Sequence, residues 1–207
     1  MPLPLVIPSV QVTEKERIRR ATAVFREGTI QVTLPRCWPL ALKKSVTEVL
    51  VGRVVKSQQK QQVQQARLLA HPAVAQAPKI TLTDVKSLHQ YVMALNQQTF
   101  QAPLKGVRIG SARYSRLAQL NTRTGMVTIS RYSLQNVPEP ALRYLVIHEL
   151  AHFLEANHSR RFWAQVARFV PDYRLQSQIM KAFHQLRVQE SLESLPSLAV
   201  AASNDKP

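Results

Sequence analysis

Three histidines and a glutamate lie close together in the C-terminal half of the chain. Residues 148–158 read His-Glu-Leu-Ala-His-Phe-Leu-Glu-Ala-Asn-His. Two histidines four positions apart on an α-helix project from the same face, so His148 and His152 can reach one metal ion. Glu149 stands beside that face, where it can take a proton from a water at the metal. The spacing therefore predicts a metal site that carries out hydrolysis.

The alternative reading is that both histidines simply pack in a core, and helical periodicity weighs against it. At about 100° per residue, His148, His152 and Glu155 fall on one arc of the helix, with Glu149 at its edge. The apolar residues fall on the opposite arc: Val146, Ile147, Leu150, Phe153 and Leu154. With the histidines and glutamates that this chain contains, a chance His-Glu-x-x-His arises on the order of once per hundred such chains. The metal site is therefore the favoured interpretation.

His158 is the preferred third ligand. A catalytic zinc commonly takes three protein ligands and leaves the fourth position for water. His158 follows a helix end predicted at Asn157, where the chain can fold back towards the metal. Glu155 is the rival, because it lies three residues beyond His152 on the same arc. As an alternative, Glu155 orients a ligand histidine without touching the metal.

Zinc is the predicted metal, because three imidazoles suit it and hydrolysis needs no redox partner. The pKa of a water on zinc can fall to about 7, and Glu149 would then accept its proton and return it to the leaving group. Four nearby residues could stabilise the negative charge that develops in the transition state: Tyr144, Arg160, Arg161 and Tyr173. Packing or solvation explains the presence of each more simply. The other histidines lack spaced partners and are predicted to be incidental: His71, His89 and His184.

The chain is strongly basic, with 28 Lys and Arg against 12 Asp and Glu and a formal net charge of +16. Such an excess attracts polyanions, so nucleic acid or a nucleotide is a candidate partner. A solvated basic surface or an acidic partner gives the same composition. No stretch approaches the roughly 18 apolar residues of a membrane helix, and no signal peptide is recognisable. Cys37 is the only cysteine, which fits a reducing compartment and predicts the cytoplasm.

The first part of the chain is predicted to be an irregular leader over residues 1–12, then a basic strand pair and a long helix over 13–70. The strands RIRRATAVF and TIQVTLP meet at Glu27-Gly28, where glycine supplies the positive φ of a hairpin turn. The Pro- and Ala-rich stretch 71–80 is the candidate domain boundary.

Residues 81–190 are predicted to form an α+β metallohydrolase domain, in which a small antiparallel sheet packs on the active-site helix. Thr83 or Asp84 caps a first helix, and strands follow around VRIGSAR, LAQLN and MVTISRYSL. The active-site helix is placed over about 138–156.

Two further helices are predicted after the metal-binding segment. One runs from Ser159 to about Val170, and the other opens on Pro171 and runs to about Glu190. Residues 191–207 are small and polar and are predicted to be a disordered tail.

The run LRYLVIHELAHFLEANHSRRFW resembles the YgjP-like zinc metallopeptidases, relatives of the SprT-like group. The shared feature is His-Glu-Leu-x-His, five residues, and then His-Ser-x-x-Phe-Trp, here residues 158–163. The resemblance implies an active-site helix of zincin type, with His148, His152 and His158 as metal ligands and Glu149 as the catalytic glutamate.

The resemblance covers about residues 14–190 and is strong over about 126–163. It departs from the family where an Arg-Trp-Gly-Ser-Cys-like stretch is replaced by Arg-Leu-Ala-Gln-Leu at 116–120. Losing the Trp and Gly affects the expected substrate edge and leaves the metal site intact.

The sequence is consistent with three functions. The leading hypothesis is a zinc metallopeptidase that acts on a protein or peptide. The second keeps the zinc and hydrolyses a nucleotide phosphoanhydride, since a metal hydroxide attacks phosphorus as well as carbon. The third is a basic, DNA-associated protein with a structural metal, and Glu149 counts against it because a structural site has no use for a base.

Overall fold

The computed structural model describes residues 8–26, 28–114 and 116–194 and confirms the α+β fold class. The chain divides into two compact units, Met1–Ala66 and Arg67–Pro207. The functional domain boundaries drawn from the sequence stay a prediction. Within the described residues, no helix combines the length and the apolar character needed to cross a bilayer.

The first unit contains a three-stranded sheet in the order β1-β3-β2. Its strands are β1 (Ser9–Lys15), β2 (Thr22–Arg26) and β3 (Thr29–Pro35). β2 and β3 form the predicted antiparallel hairpin, and Gly28 has the positive φ of 79° that its turn requires. Glu27 lies outside the described residues.

The irregular leader predicted over residues 1–12 is wrong for its last four residues. Ser9 to Val12 belong to β1, which pairs in parallel with β3. Its partner β3 lies 20 positions further along the chain, so the pairing itself leaves no local signal in the sequence. Residues 1–7 lie outside the described part of the chain.

The long helix predicted over residues 38–69 is present as α1 (Leu40–Leu69). Alternate residues of β3 are buried, because successive side chains of a strand point to opposite faces. Ile30, Val32 and Leu34 form a small core with apolar residues of α1, among them Val46 and Leu50.

The second unit has five helices and five strands among the described residues. In chain order they are α2 (Pro72–Gln76), β4 (Lys79–Ile80), α3 (Val85–Gln98), β5 (Gly106–Gly110), β6 (Ala118–Asn121), β7 (Met126–Ser130), β8 (Val137–Pro138), α4 (Glu139–Ala151), α5 (Arg160–Phe169) and α6 (Tyr173–Glu193). A 3-10 turn, Arg131–Ser133, follows β7. The predicted connector at 71–80 thus contains α2 and β4, and β4 pairs with β8.

The sheet of the second unit is mixed, so the prediction of an antiparallel sheet is wrong in part. Its order is β5-β7-β6, with β7 antiparallel to β6 and parallel to β5. The chain reverses between β5 and β6 and again between β6 and β7, so β5 and β7 run in the same direction. Strand patterns predict which segments extend, whereas the order of pairing is a tertiary choice.

α4 is the central element of this unit. It packs against α3, α5, α6 and β6, and nine of its thirteen residues are buried. Two apolar clusters share it: a larger one with the sheet and α3, and a smaller one with α5. The apolar arc predicted for this helix is therefore too narrow, because α4 is covered on several sides.

Two helix ends differ from the prediction. α4 ends at Ala151 rather than near residue 156, and Leu154 is 55% exposed. The last helix opens with Asp172 as its N-cap rather than on Pro171, and it continues to Glu193. The predicted tail, 191–207, therefore begins in helix, and its residues 195–207 lie outside the described part of the chain.

His184 of α6 ties three segments together inside the unit. Its Nε2 lies 2.9 Å from the carbonyl oxygen of Arg113, so this nitrogen donates the hydrogen bond. Its Nδ1, at 2.8 Å from Oγ of Ser133, must then accept from the serine hydroxyl. Ser133 is fully buried and His184 nearly so, and burial lowers the pKa of the imidazole. The connection between β5 and β6 is thereby fixed to α6.

We predict that Ser133→Ala destabilises the protein by about 1–3 kcal/mol, because a buried ring nitrogen is left without its hydrogen bond. Urea unfolding at neutral pH measures this change. Ser57→Ala, at an exposed position of α1, is the control and should stay within about 0.5 kcal/mol of the wild type. Equal unfolding free energies for Ser133→Ala and the wild type would contradict the proposed hydrogen bond.

Candidate metal centre

The three predicted histidines converge. One ring nitrogen from each of His148, His152 and His158 lies within 4.8 Å of the others. The ring centroids of the three pairs are 4.8–5.2 Å apart, close to an equilateral triangle. Nε2 of His148 lies 3.0 Å from Nε2 of His158, so these two nitrogens face a common point.

The other nitrogens of the two helical histidines face protein oxygens. Nδ1 of His152 lies 3.1 Å from the backbone carbonyl of Glu155, which can only accept, so Nδ1 carries the proton and Nε2 is left with a lone pair. Nδ1 of His148 lies 3.3 Å from the hydroxyl of Tyr144. Glu155, the rival ligand, thus contacts His152 through its main chain, and within the described residues its carboxylate is not in the converging group.

A tight turn brings His158 to the other two histidines. The last turn of α4 closes with bonds of the i to i−3 type, from His152 N–H to Glu149 and from Phe153 N–H to Leu150. The chain then changes direction, and Ser159 caps α5 by accepting the amide proton of Phe162. A straight helix to residue 156 would carry His158 away, so the early helix end is what closes the triangle.

Phe162 forms the apolar floor of the cluster. It is fully buried, and its ring centroid lies 4.9, 4.6 and 4.7 Å from those of His148, His152 and His158. Trp163 flanks the site, with its centroid 5.6 Å from both His148 and His158. Close packing on one side restricts the imidazole rings to orientations that keep their nitrogens together.

Glu149 is buried beside the triangle, with 6% of its surface exposed. Its Oε2 accepts a hydrogen bond of 2.7 Å from the backbone amide of Leu120 in β6. Burial raises the pKa of this carboxyl to about 7, and the bond from Leu120 opposes part of the rise. A carboxyl with this pKa exchanges protons readily near neutral pH, as a general base must.

Two of the imidazoles, those of His148 and His158, are held in their neutral form. Burial, followed by the neighbouring His152, His158 and Lys181, lowers the pKa of His148 to about 3. Burial and the neighbouring His152 also lower the pKa of His158. Neutral imidazole is the form that binds a metal ion.

The donor set fits a catalytic zinc. It offers three imidazoles at one point, which leaves the remaining position of a tetrahedral ion open, and an ionisable carboxylate stands beside them. The floor is apolar, and the orienting oxygens come from Tyr144 and Glu155. The open position is the feature that separates a catalytic zinc site from a closed structural one.

The remaining sequence candidates take other positions. Arg160 and Arg161 are exposed at the start of α5, and the ring of Tyr173 stacks on Trp163 at 4.9 Å and 16°. His71 caps α2 through Nδ1, and His184 is held as described above. His89 is exposed on α3.

Sequence reasoning missed the amide of Leu120. The residue lies on β6, 29 positions before Glu149, and its side chain takes no part in the hydrogen bond. A backbone amide leaves no trace in residue type, so no sequence signal could have identified it.

The chain is similar to several known proteins. A family model described as YgjP-like, metallopeptidase domain, matches residues 56–183. A UTP pyrophosphatase of Escherichia coli (strain K12) is 44% identical over 39 residues, which are 19% of this chain and 23% of that protein, so most of its length is unmatched. The crystal structure of the metallopeptidase zymogen of Pyrococcus abyssi abylysin is 28% identical, with a TM-score of 0.35, and the match covers 53% of this chain and 96% of that one.

We predict a pH-dependent penalty for burying Glu149 in the metal-free protein. The pKa is 4.5 in the unfolded reference and about 7 in the fold, so the stability contributed by the bound proton is present below 4.5 and is lost as pH rises through 7. Glu149→Gln does not titrate at this position. The difference in unfolding free energy between this variant and the wild type should therefore shift in favour of the variant by roughly 3 kcal/mol between pH values below 4.5 and above 7.

Urea unfolding with a chelator present, at about pH 4 and about pH 8, measures the difference. Glu48→Gln, at an exposed position of α1, is the matched control and should keep the wild-type profile. Parallel pH profiles for Glu149→Gln and the wild type would show that the carboxyl is not buried in this way.

Proposed function

The chain belongs to the YgjP-like metallopeptidase domain family, and on that premise we propose that it is a zinc-dependent peptidase. His148, His152 and His158 are proposed to hold the metal, and Glu149 to act as general base. The observation that supports this best is the convergence of three imidazole nitrogens within 4.8 Å beside a buried carboxyl. A structural zinc site would need a fourth protein ligand and no base.

The chain's own residues divide the work of hydrolysis. Zinc, when bound, would lower the pKa of a water and polarise the scissile carbonyl. Glu149 takes the proton, and since Oε2 is engaged by Leu120, Oε1 is the oxygen left to receive it. The burial that raises the pKa of Glu149 to about 7 also makes the carboxyl able to release the proton to the leaving nitrogen.

We predict one zinc ion per chain, lost in His148→Ala and in His152→Ala. Each substitution removes one of three ligands, and two imidazoles hold zinc far more weakly than three. Metal analysis after dialysis against a weak chelator gives the stoichiometry. His89→Ala, which removes an exposed histidine elsewhere, is the control and should keep its zinc. Stoichiometric zinc in the double variant of His148 and His152 would refute the assignment.

We predict that Glu149→Gln keeps zinc and loses hydrolysis, by about 100-fold or more, because the amide cannot accept a proton. Turnover of casein and of a mixed peptide library by the zinc-loaded wild type and variant tests this. Zinc-loaded Glu48→Gln should cleave like the wild type. Unimpaired turnover by Glu149→Gln would remove the base from the mechanism.

Nucleotide phosphoanhydride hydrolysis is the second candidate, favoured by the partial similarity to a UTP pyrophosphatase. The same zinc and the same base would serve, and exposed Arg160 and Arg161 lie within three residues of His158 and could attract phosphates. Assays with UTP and with casein on one preparation separate the two functions. Pyrophosphate release without peptide cleavage would select the nucleotide substrate.

The third candidate, a nucleic-acid-associated protein with a structural metal, draws support from α1. Arg53, Lys56 and Lys60 are exposed there and fall on one side of the helix. The buried carboxyl of Glu149 argues against this third candidate, because a structural metal site has no use for a base. This reading would be selected if Glu149→Gln changed no activity while His148→Ala abolished folding. We propose the cytoplasm as the compartment, because Cys37 is an exposed free thiol.

A further inference from the structure

Tyr144 stands one helical turn before His148 on α4. Its hydroxyl oxygen lies 3.3 Å from Nδ1 of His148, and the two rings are 5.7 Å apart between centroids. The residue is 5% exposed, so the contact is shielded from water. The side chain of Ser177 on α6 neighbours the same hydroxyl.

The position of the other ring nitrogen fixes the direction of these bonds. Nε2 of His148 faces the point where the three histidines converge. An imidazole that offers its Nε2 lone pair to a metal carries its proton on Nδ1. Nδ1–H of His148 therefore donates to the oxygen of Tyr144. His152 is held in the same sense, by the carbonyl of Glu155.

We propose that Tyr144 is a positioning residue of the metal site, whose hydroxyl holds His148 in its Nδ1-protonated form and in its ring orientation. Ser177 in turn holds the hydroxyl and links the site to α6. The inference rests on the proposed function, because it takes the three histidines as metal ligands. The tyrosine ring has a separate task, since it packs in the cluster with Ile147 and Phe162.

Tyr144→Phe removes the hydroxyl and keeps the ring, so it tests the role of the hydroxyl while the apolar packing is retained. Tyr173→Phe is the matched control: it removes a hydroxyl that accepts from Arg174, on a ring stacked against Trp163. Zinc affinity is measured by competition with a chromogenic chelator. We expect the zinc Kd of Tyr144→Phe to rise about 10- to 100-fold, and that of Tyr173→Phe to stay at the wild-type value.

Two further measurements distinguish positioning from a merely structural role. Urea unfolding in chelator reports stability without metal, and a structural role would lower it and leave the zinc Kd unchanged. Long-range proton–nitrogen NMR spectra of the zinc-loaded protein report the Nδ1 proton of His148. We expect that proton to exchange faster with solvent in Tyr144→Phe than in the wild type.

Ser177→Ala tests whether the neighbouring serine supports the tyrosine hydroxyl. It should raise the zinc Kd less than Tyr144→Phe does. It should add nothing in the double variant, because Ser177 acts only through the tyrosine hydroxyl. If Tyr144→Phe fails to fold, Ser177→Ala decides: a raised Kd supports the inference and an unchanged Kd overturns it.

The inference is overturned if Tyr144→Phe binds zinc as tightly as the wild type, or if Tyr173→Phe weakens binding equally. Failure of the proposed function looks different. In that case His152→Ala and the wild type would bind zinc alike, whatever stands at position 144.

Discussion

The burial of α4 is the constraint on which the rest of the second unit depends. The helix carries His148 and Glu149, His152 is its C-cap, and it packs against α3, α5, α6 and β6. Because most of its surface is covered, its polar side chains are held at fixed positions with little water around them. Electrostatic interactions in such a place are stronger than at an exposed surface. The unusual pKa values of the site follow from this burial.

The cost of that burial is concentrated on Glu149. A carboxyl in an apolar setting resists ionisation, and the single amide of Leu120 offsets only part of the penalty. The protein would be more stable at neutral pH with an uncharged side chain at position 149, yet it has a glutamate there. Such a local conflict between stability and composition is typical of functional sites. Here it gives a carboxyl whose pKa of about 7 suits the proposed role of general base.

Support for the three imidazoles comes from α4 itself, from the turn that follows it and from α5. Phe162 of α5 lies against all three rings, and Tyr144 and the carbonyl of Glu155 engage two outward nitrogens. The turn after Ala151 is what allows His158 and Phe162 to return to the helix. Each contact restricts a ring that would otherwise sample several rotamers, so the nitrogens stay converged.

The sequence by itself determined what depends on local spacing: the pair His148 and His152 with Glu149 beside them, the return of His158, the helix starts at Thr83 or Asp84 and at Ser159, and the hairpin at Gly28. Only the tertiary structure decided the parallel pairing of β5 with β7, the end of α4 at Ala151, and the amide of Leu120 against Glu149. Residue type and periodicity act over a few positions, whereas pairing order and burial depend on segments far apart in the chain. The type of each side chain is known from the sequence. The backbone groups and packing that set its pKa belong to distant segments, which only the folded chain brings beside it.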